Sequence, residues 1–375
     1  MERTASRVRR GLRTVMVGVA AGSCFIAAGG FASAASASAP PASVTVARYG
    51  AGWLARQIIA NGGSLDQVPG TPDPTDTAYA VLGLHAAGVG RTAASKAMGF
   101  LETDLGAISA GGSDDPGVLA EFIVAAHTSG VDPYHFGGNG VANNLVARLV
   151  ATSRSSGPDA GLFGSQDPSF DGAFRQGLAL AALKAAGVPK SRLVVARGIG
   201  WLARQQCANG LWESYRSDTA TACLPADPST FTGPDTNSTS LAVQGLAVYG
   251  DHPREAGALF QLHSIQSSDG GYPFVAAGGQ SSDPDSTALV IQALIAEGQN
   301  PASATWATSG STPFMALASY QRGCTAAASD RGAFFFPGSS TPNIIATVQA
   351  VPAAAGKAIP VAPTTLSTAQ PTMTC

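Results

Sequence analysis

The chain has 375 residues, 22 Lys and Arg against 24 Asp and Glu, and 45% hydrophobic residues. This near-neutral balance excludes a nucleic-acid or anionic-membrane partner, which would need a basic face. Only 12% of residues are charged while 45 are glycine, a composition suited to small-residue packing around a large core.

The N-terminus reads as a cleaved signal peptide over residues 1–34. Arg3, Arg7, Arg9, Arg10 and Arg13 form a positive region, an apolar stretch follows from Val15 to Phe31, and Ala32-Ser33-Ala34 is an A-x-A cleavage site. Sec and twin-arginine export both stay open. Removal of this segment leaves 17 basic and 23 acidic residues. No later segment is long and apolar enough to span a membrane, so an exported, extracellular protein is expected. Residues 35–46 read as a disordered linker, 47–356 as the folded body, and 357–375 as a Pro/Thr-rich tail. Cys207, Cys223, Cys324 and Cys375 remain after export, and an even count in an oxidising compartment reads as disulfides. Three pairings exist; Cys207–Cys223, bracketing a local loop, with Cys324–Cys375 is the one expected. No Cys-x-x-Cys or neighbouring His supports zinc, and neither a metal nor a cofactor is expected.

The body repeats itself. GWLARQ stands at Gly52–Gln57 and again at Gly200–Gln205, 148 residues apart, which marks an array of supersecondary units. A 15-residue block recurs as Asp73–Gly88, Asp115–Gly130, Gly172–Gly187, Asp235–Gly250, Asp283–Gly298 and Thr341–Gly356. Asp is a favoured N-cap, Pro a favoured first helical residue and Gly the favoured left-handed stop, so each block predicts one capped helix. Ahead of each lies an amphipathic segment ending in a Gly-rich turn: Trp53-Leu54 to Gly62-Gly63, Lys96 to Leu101, Gly161-Leu162-Phe163, Trp201 through Gln206 to Trp212, Leu262 through Gln266 to Tyr272, and Leu317 through Gln321 to Phe334. Six helix pairs in one body predict an all-α ring, the apolar second helices inside and the first helices outside.

The fourth unit satisfies the glutamine–tryptophan repeat of terpenoid cyclases, and the set resembles prenyltransferase/squalene-cyclase repeats over residues 47–356. The resemblance implies an (α/α)6 toroid. It does not fix an activity, because the same toroid serves protein prenyltransferase β-subunits, complement thioester domains and cobalamin carriers. Class II cyclases protonate a polyene with the middle acid of Asp-x-Asp-Asp-Thr-Ala. Asp283-Pro284-Asp285-Ser286-Thr287-Ala288 resembles that motif, with Asp285 in the acid's place and Ser286 replacing the last acid. Read without the resemblance, Asp283 is a helix cap and Asp285 a residue of the first turn. The prenyltransferase zinc set is missing, since no histidine has a cysteine beside it. His85 and His127 instead fall in a last helical turn, where a cation suits the helix dipole. There is no Cys-Gly-Glu-Gln thioester sequence.

Aligned on their caps, the blocks carry Thr75, Gly117, Phe174, Asn237, Asp285 and Asn343 two residues on, and Asp76, Val118, Arg175, Ser238, Ser286 and Ile344 three residues on. Thr75, Asp76, Asn237, Ser238, Asp285, Ser286 and Asn343 would form a polar ligand-binding arc at one mouth of the ring, facing a more apolar side that carries Arg175. Plain first-turn capping also accounts for these residue types. Gln244 and Gln292, nine past the cap, and Gln349, eight past Thr341, would line the interior or bond neighbouring helices. Glu121 sits in an apolar run and needs a partner, for which Arg175 is the candidate. These features are read as a secreted, non-catalytic toroid binding a small, partly apolar or amphipathic ligand. A terpene cyclase-like enzyme using Asp285 as its acid is the alternative, and an extracellular interaction scaffold the second alternative.

Overall fold

The computed structural model describes residues 39–109 and 111–375; the expected signal peptide lies outside them. The described residues form twelve α-helices: α1 Pro41–Ala60, α2 Pro74–Ala87, α3 Arg91–Thr103, α4 Pro116–Ser129, α5 Leu145–Ala151, α6 Ala173–Ala185, α7 Leu193–Gln205, α8 Thr236–Ala247, α9 Glu255–Ile265, α10 Pro284–Ala296, α11 Pro313–Ser319 and α12 Ile344–Ala354. A small antiparallel pair, β1 Leu65–Val68 and β2 Thr71–Asp73, leads into α2. Helix α1 begins within the segment expected to be a disordered linker.

The even-numbered helices are apolar nearly all round, as a helix packed on both sides must be. They pack in succession, α2 on α4, α4 on α6, α6 on α8, α8 on α10 and α10 on α12, and α12 returns onto α2. The ring is therefore closed. Helices α1, α3, α5, α7, α9 and α11 pack against this ring. At α6 and α8 the two backbones touch: a Cβ on Gly177 would collide with the Leu241 carbonyl, and one on Gly245 with the backbone of Gly177.

The caps form as the sequence predicts. Asp73, Asp115, Asp235 and Asp283 accept backbone N–H bonds from the first turns of α2, α4, α8 and α10, each such cap contributing about 1 kcal/mol. Gly88, Gly130, Gly187, Gly250, Gly298 and Gly356 all turn left-handed, with φ between 67° and 77°. One register differs. The cap of α12 is Asn343, whose side chain accepts from Ala346 N, and Thr341 lies outside the helix. The Thr-Pro pair at 341–342 imitates a cap and its first helical residue, and that imitation misplaces the start by two positions.

Two bonds repeat around the ring and account for the residue pattern. Four residues past the cap, the hydroxyls of Thr77, Thr239, Thr287 and Thr347 accept from the backbone N–H of Leu65, Trp212, Tyr272 and Phe334; Gln176 serves Phe163 in the same way. Gln206, Gln266 and Gln321 each donate to a carbonyl of their own Gly turn, at Gly210, Gly270 and Gly332, and to one further round the ring, at Arg254, Trp306 and Val46. The threonine of the Asp283–Ala288 motif is thus a turn anchor.

The segment after Gly356 is an ordered strap across the C-terminal ends of the inner helices. Gln292 donates to Lys357 O, Ile359 N donates to Gln244 Oε1, and Thr128 and Thr364 bond Val361 O and His85 O. Ile359, Val361 and Leu366 of the strap are buried against the core. Gln244 and Gln292 therefore hold the strap; they do not bond neighbouring helices as one of the two sequence readings had it. Disulfides join Cys207 to Cys223 and Cys324 to Cys375, the latter pinning the strap's end. Among the described residues no helix is long and apolar enough to cross a membrane.

Candidate functional site: an acidic cluster at one mouth of the ring

The strap bonds the last turns of α2, α4, α8 and α10, so the N-termini of these inner helices gather at the opposite end. With Asn343 as the sixth cap, the positions two and six past the cap are one turn apart on the same helix face. The second position carries Thr75, Gly117, Phe174, Asn237, Asp285 and Ile345. The sixth carries Tyr79, Glu121, Leu178, Leu241, Leu289 and Gln349. Leu178, Leu241 and Leu289 are buried, which makes one side of the ring apolar. Tyr79, Glu121 and Gln349, from adjacent helices α2, α4 and α12, make the other side polar.

Four groups at this mouth, three from α2 and α4 and one from α10, are electrostatically joined. Asp285 is half-buried, and its Oδ1 is buried without a hydrogen-bond partner. Burial first, then the charges of Asp283 and Asp76, push its pKa up to about 7. Asp76 is buried and accepts from Gln67 Nε2 at 2.8 Å; burial and the adjacent Asp73 raise it to about 6. Glu121 is held well above the usual carboxylate range by burial, then by Asp115 and Asp76, and its Oε2 is unpartnered. Tyr79, whose hydroxyl is also unpartnered, is raised by burial and then by Glu121 and Asp76. Burial thus favours the protonated form of Glu121, and Asp285 is pushed up to about 7. The cluster offers neutral carboxyl groups that can donate a hydrogen bond or hold a proton.

Arg175 does not pair with Glu121, contrary to expectation. Its guanidinium bridges Asp115 at 2.9 Å, reaches Asp171 at 3.9 Å and lies 5.3 Å over the Phe170 ring. Two carboxylates closer to it take the cation and leave Glu121 with only its weak, long-range attraction. Arg175 lines a separate surface hollow of about 470 Å³ with Asp114, Asp115, Arg148, Phe170 and Asp171.

The remaining arc residues are mostly spent on caps. Thr75 donates to Asp73 at 2.7 Å and Ser286 to Asp283 at 2.8 Å. Ser238 is buried beside Asp235, and Asn343 is itself a cap. Asn237 is half-buried, with a long 3.4 Å bond from Thr236. The structure thus brings together Asp76 and Asp285 and adds Glu121 and Tyr79, which the sequence reading did not assign to the site; the misplaced register of α12 hid only that Gln349 is their equivalent. His85 and His127 have pKa values lowered by burial, so the dipole-stabilised cation expected at the helix ends is replaced by neutral imidazole.

The loops that feed the inner helices put exposed Phe170, Phe231, Phe274 and Phe336 around this end. Phe231 and Phe274 touch, with ring centroids 6.4 Å apart.

No protein-family model matches the chain, and no curated protein matches it. Among solved structures it is similar to the type II terpene cyclase MstE from Scytonema, over 84% of this chain and 97% of that one, at 14% identity and a TM-score of 0.55. The fold is a terpenoid cyclase-like α/α toroid. An arginine-to-alanine variant of that cyclase, in complex with its substrate geranylgeranyl dihydroxybenzoate, matches over the same shares at 14% identity and a TM-score of 0.53. An aspartate-to-asparagine variant of UGL with dGlcA-Glc-Rha-Glc matches over 81% of this chain and 94% of that one, at 14% identity and a TM-score of 0.52. Identities this low establish the shared fold alone.

Proposed function

We propose that this protein is a secreted toroid of six helix-pair repeats that binds a small, partly apolar ligand at the acidic mouth. Asp285, Asp76, Glu121 and Tyr79 take the ligand's polar group, and the leucine wall with the phenylalanine rim takes its apolar part. One observation carries the reading. Asp285 Oδ1, Glu121 Oε2 and the Tyr79 hydroxyl are buried without partners in one coupled cluster. Each such unmet group costs about 1–3 kcal/mol, and a ligand bearing hydrogen-bonding groups offsets that cost. The signal sequence and two disulfides support export. The amphipathic substrate of the cyclase with the same fold supports the ligand class.

The raised pKa values favour binding over polyene protonation. A carboxyl moved from 3.8 to about 7 is a weaker acid, whereas protonating an isolated alkene demands a strong one. A second reading, acid catalysis by Asp285, rests on its unpartnered oxygen and on a pKa near neutral, where a general acid works best.

Native mass spectrometry of the protein purified from its host's medium tests the first reading. A co-purifying small molecule whose retention is lost in Glu121→Leu is the expected result. A ligand-free mass, together with no binding of a geranylgeranyl phenol probe, overturns it. Cyclisation of that probe, abolished by Asp285→Ala, would establish the second reading instead.

A further inference from the structure

A separate cluster lies at the other end of the ring, where α10 ends and α9 begins. His252 Nδ1 stands 3.1 Å from Glu255 Oε2 and 3.2 Å from Glu297 Oε2. The three side chains each place a ligand atom within 4.8 Å of the others. His252 and Glu255 are three residues apart on a short 3-10 turn running into α9, and Glu297 is the C-cap of α10. Glu255 is 0% exposed and Glu297 8%, whereas His252 is 63% exposed and opens the cluster to solvent. Glu255 Oε1 is buried without a partner. Two buried carboxyl groups side by side repel unless a proton or a cation lies between them. The neighbouring charges are otherwise engaged: Arg254 pairs with Asp251 at 3.1 Å, and Lys190 donates to Tyr249 O at 3.0 Å.

We propose that His252, Glu255 and Glu297 bind one divalent transition-metal ion of the zinc type. Imidazole nitrogen with carboxylate oxygen is a donor set such ions accept. The cation would satisfy Glu255 Oε1 and leave a solvent-facing position for water. The negative end of the α10 dipole at Glu297 favours positive charge there. The sequence gives no local sign of the site, because Glu255 and Glu297 are 42 residues apart and meet only through the fold.

Isothermal titration of the full chain with zinc at pH 7.5, its disulfides intact, tests the proposal. Saturable one-to-one binding is expected, with proton release visible as a dependence of the heat on buffer ionisation. His252→Ala and Glu297→Gln are each expected to weaken binding at least about tenfold. His135→Ala, at an exposed His–Asp pair 2.6 Å apart, controls for surface histidines and is expected to leave binding unchanged. Absence of saturable binding, or binding indifferent to both His252→Ala and Glu297→Gln, refutes the site and leaves a histidine–carboxylate hydrogen-bonded contact in its place.

Discussion

Replacing Asp285 by Asn should stabilise the protein, and by clearly more at pH 8 than at pH 5. The folded-state pKa is raised from 3.8 to about 7, so the native chain holds a proton that the unfolded chain releases. Asp285's contribution to stability is complete below the unfolded value and is lost as the pH rises through about 7. At about 1.4 kcal/mol per pKa unit the full loss is about 4 kcal/mol. Asn is neutral at every pH and escapes it. Unfolding entropy of about 2.1 cal/mol/K per residue, over roughly 340 residues, is about 0.7 kcal/mol/K, so the gain in Tm is about 6 °C. Coupling to Asp76 shares the penalty between two groups, which brings the expected gain to about 3–6 °C. Buried His85 and His127 act in the opposite sense as the pH falls through 6.5, but they are common to both proteins and cancel in the difference. Asp114 and Asp159, with lowered pKa values, contribute constantly above pH 5. The assay is calorimetric Tm of wild type and variant at half-unit steps from pH 5 to 8. A difference that stays flat across the series, or an Asn variant less stable at pH 8, refutes the charged-cluster reasoning.

Truncation after Gly356 exposes the sites of Ile359, Val361 and Leu366 and strands the Gln244 and Gln292 side chains. Three lost apolar side chains at about 1.5–3 kcal/mol each predict a loss of several kcal/mol, readable as a lower urea midpoint. Thr287→Val removes the acceptor for the buried Tyr272 N–H and should cost about 1–3 kcal/mol. The same assay checks it, with Thr75→Val, at a half-buried cap hydroxyl, as the milder comparison.

The ring was legible because its punctuation is local. A carboxylate at an N-cap and a glycine at positive φ are conditions each helix meets within its own few residues, and repetition then implies closure. What the sequence concealed depends on distant partners. The tail has no apolar period, and its order comes from Gln244, Gln292 and Thr128, more than a hundred residues upstream for two of them. Thr341-Pro342 carries the same local signal as a true cap, and only the Thr347 bond to Phe334 N reveals Asn343 as the equivalent of Asp283. Of the site, Asp285 and Asp76 were readable as rim acids, while Glu121 was recognised only as a misfit. Its partner could not be read off, because the nearest cation by sequence logic, Arg175, is claimed by Asp115 and Asp171.

The strap and the leucines together constrain how the proposed ligand would lie. Residues 357–369 cross the C-terminal end of the ring, and Leu178, Leu241 and Leu289 are buried on one side. Access is therefore from the N-terminal mouth, past exposed Phe170, Phe231, Phe274 and Phe336. A ligand entering apolar end first would press hydrocarbon against Asp285 Oδ1, Glu121 Oε2 and the Tyr79 hydroxyl and leave all three unpaired. Entering polar end first, it pairs them and leaves its hydrocarbon against the aromatic rim, where apolar area is otherwise open to water. Both terms favour the second orientation. An anionic head is disfavoured by partly ionised Asp76 and Asp285, so the best-matched head is a neutral one with hydroxyl or carbonyl groups that accept from protonated carboxyls.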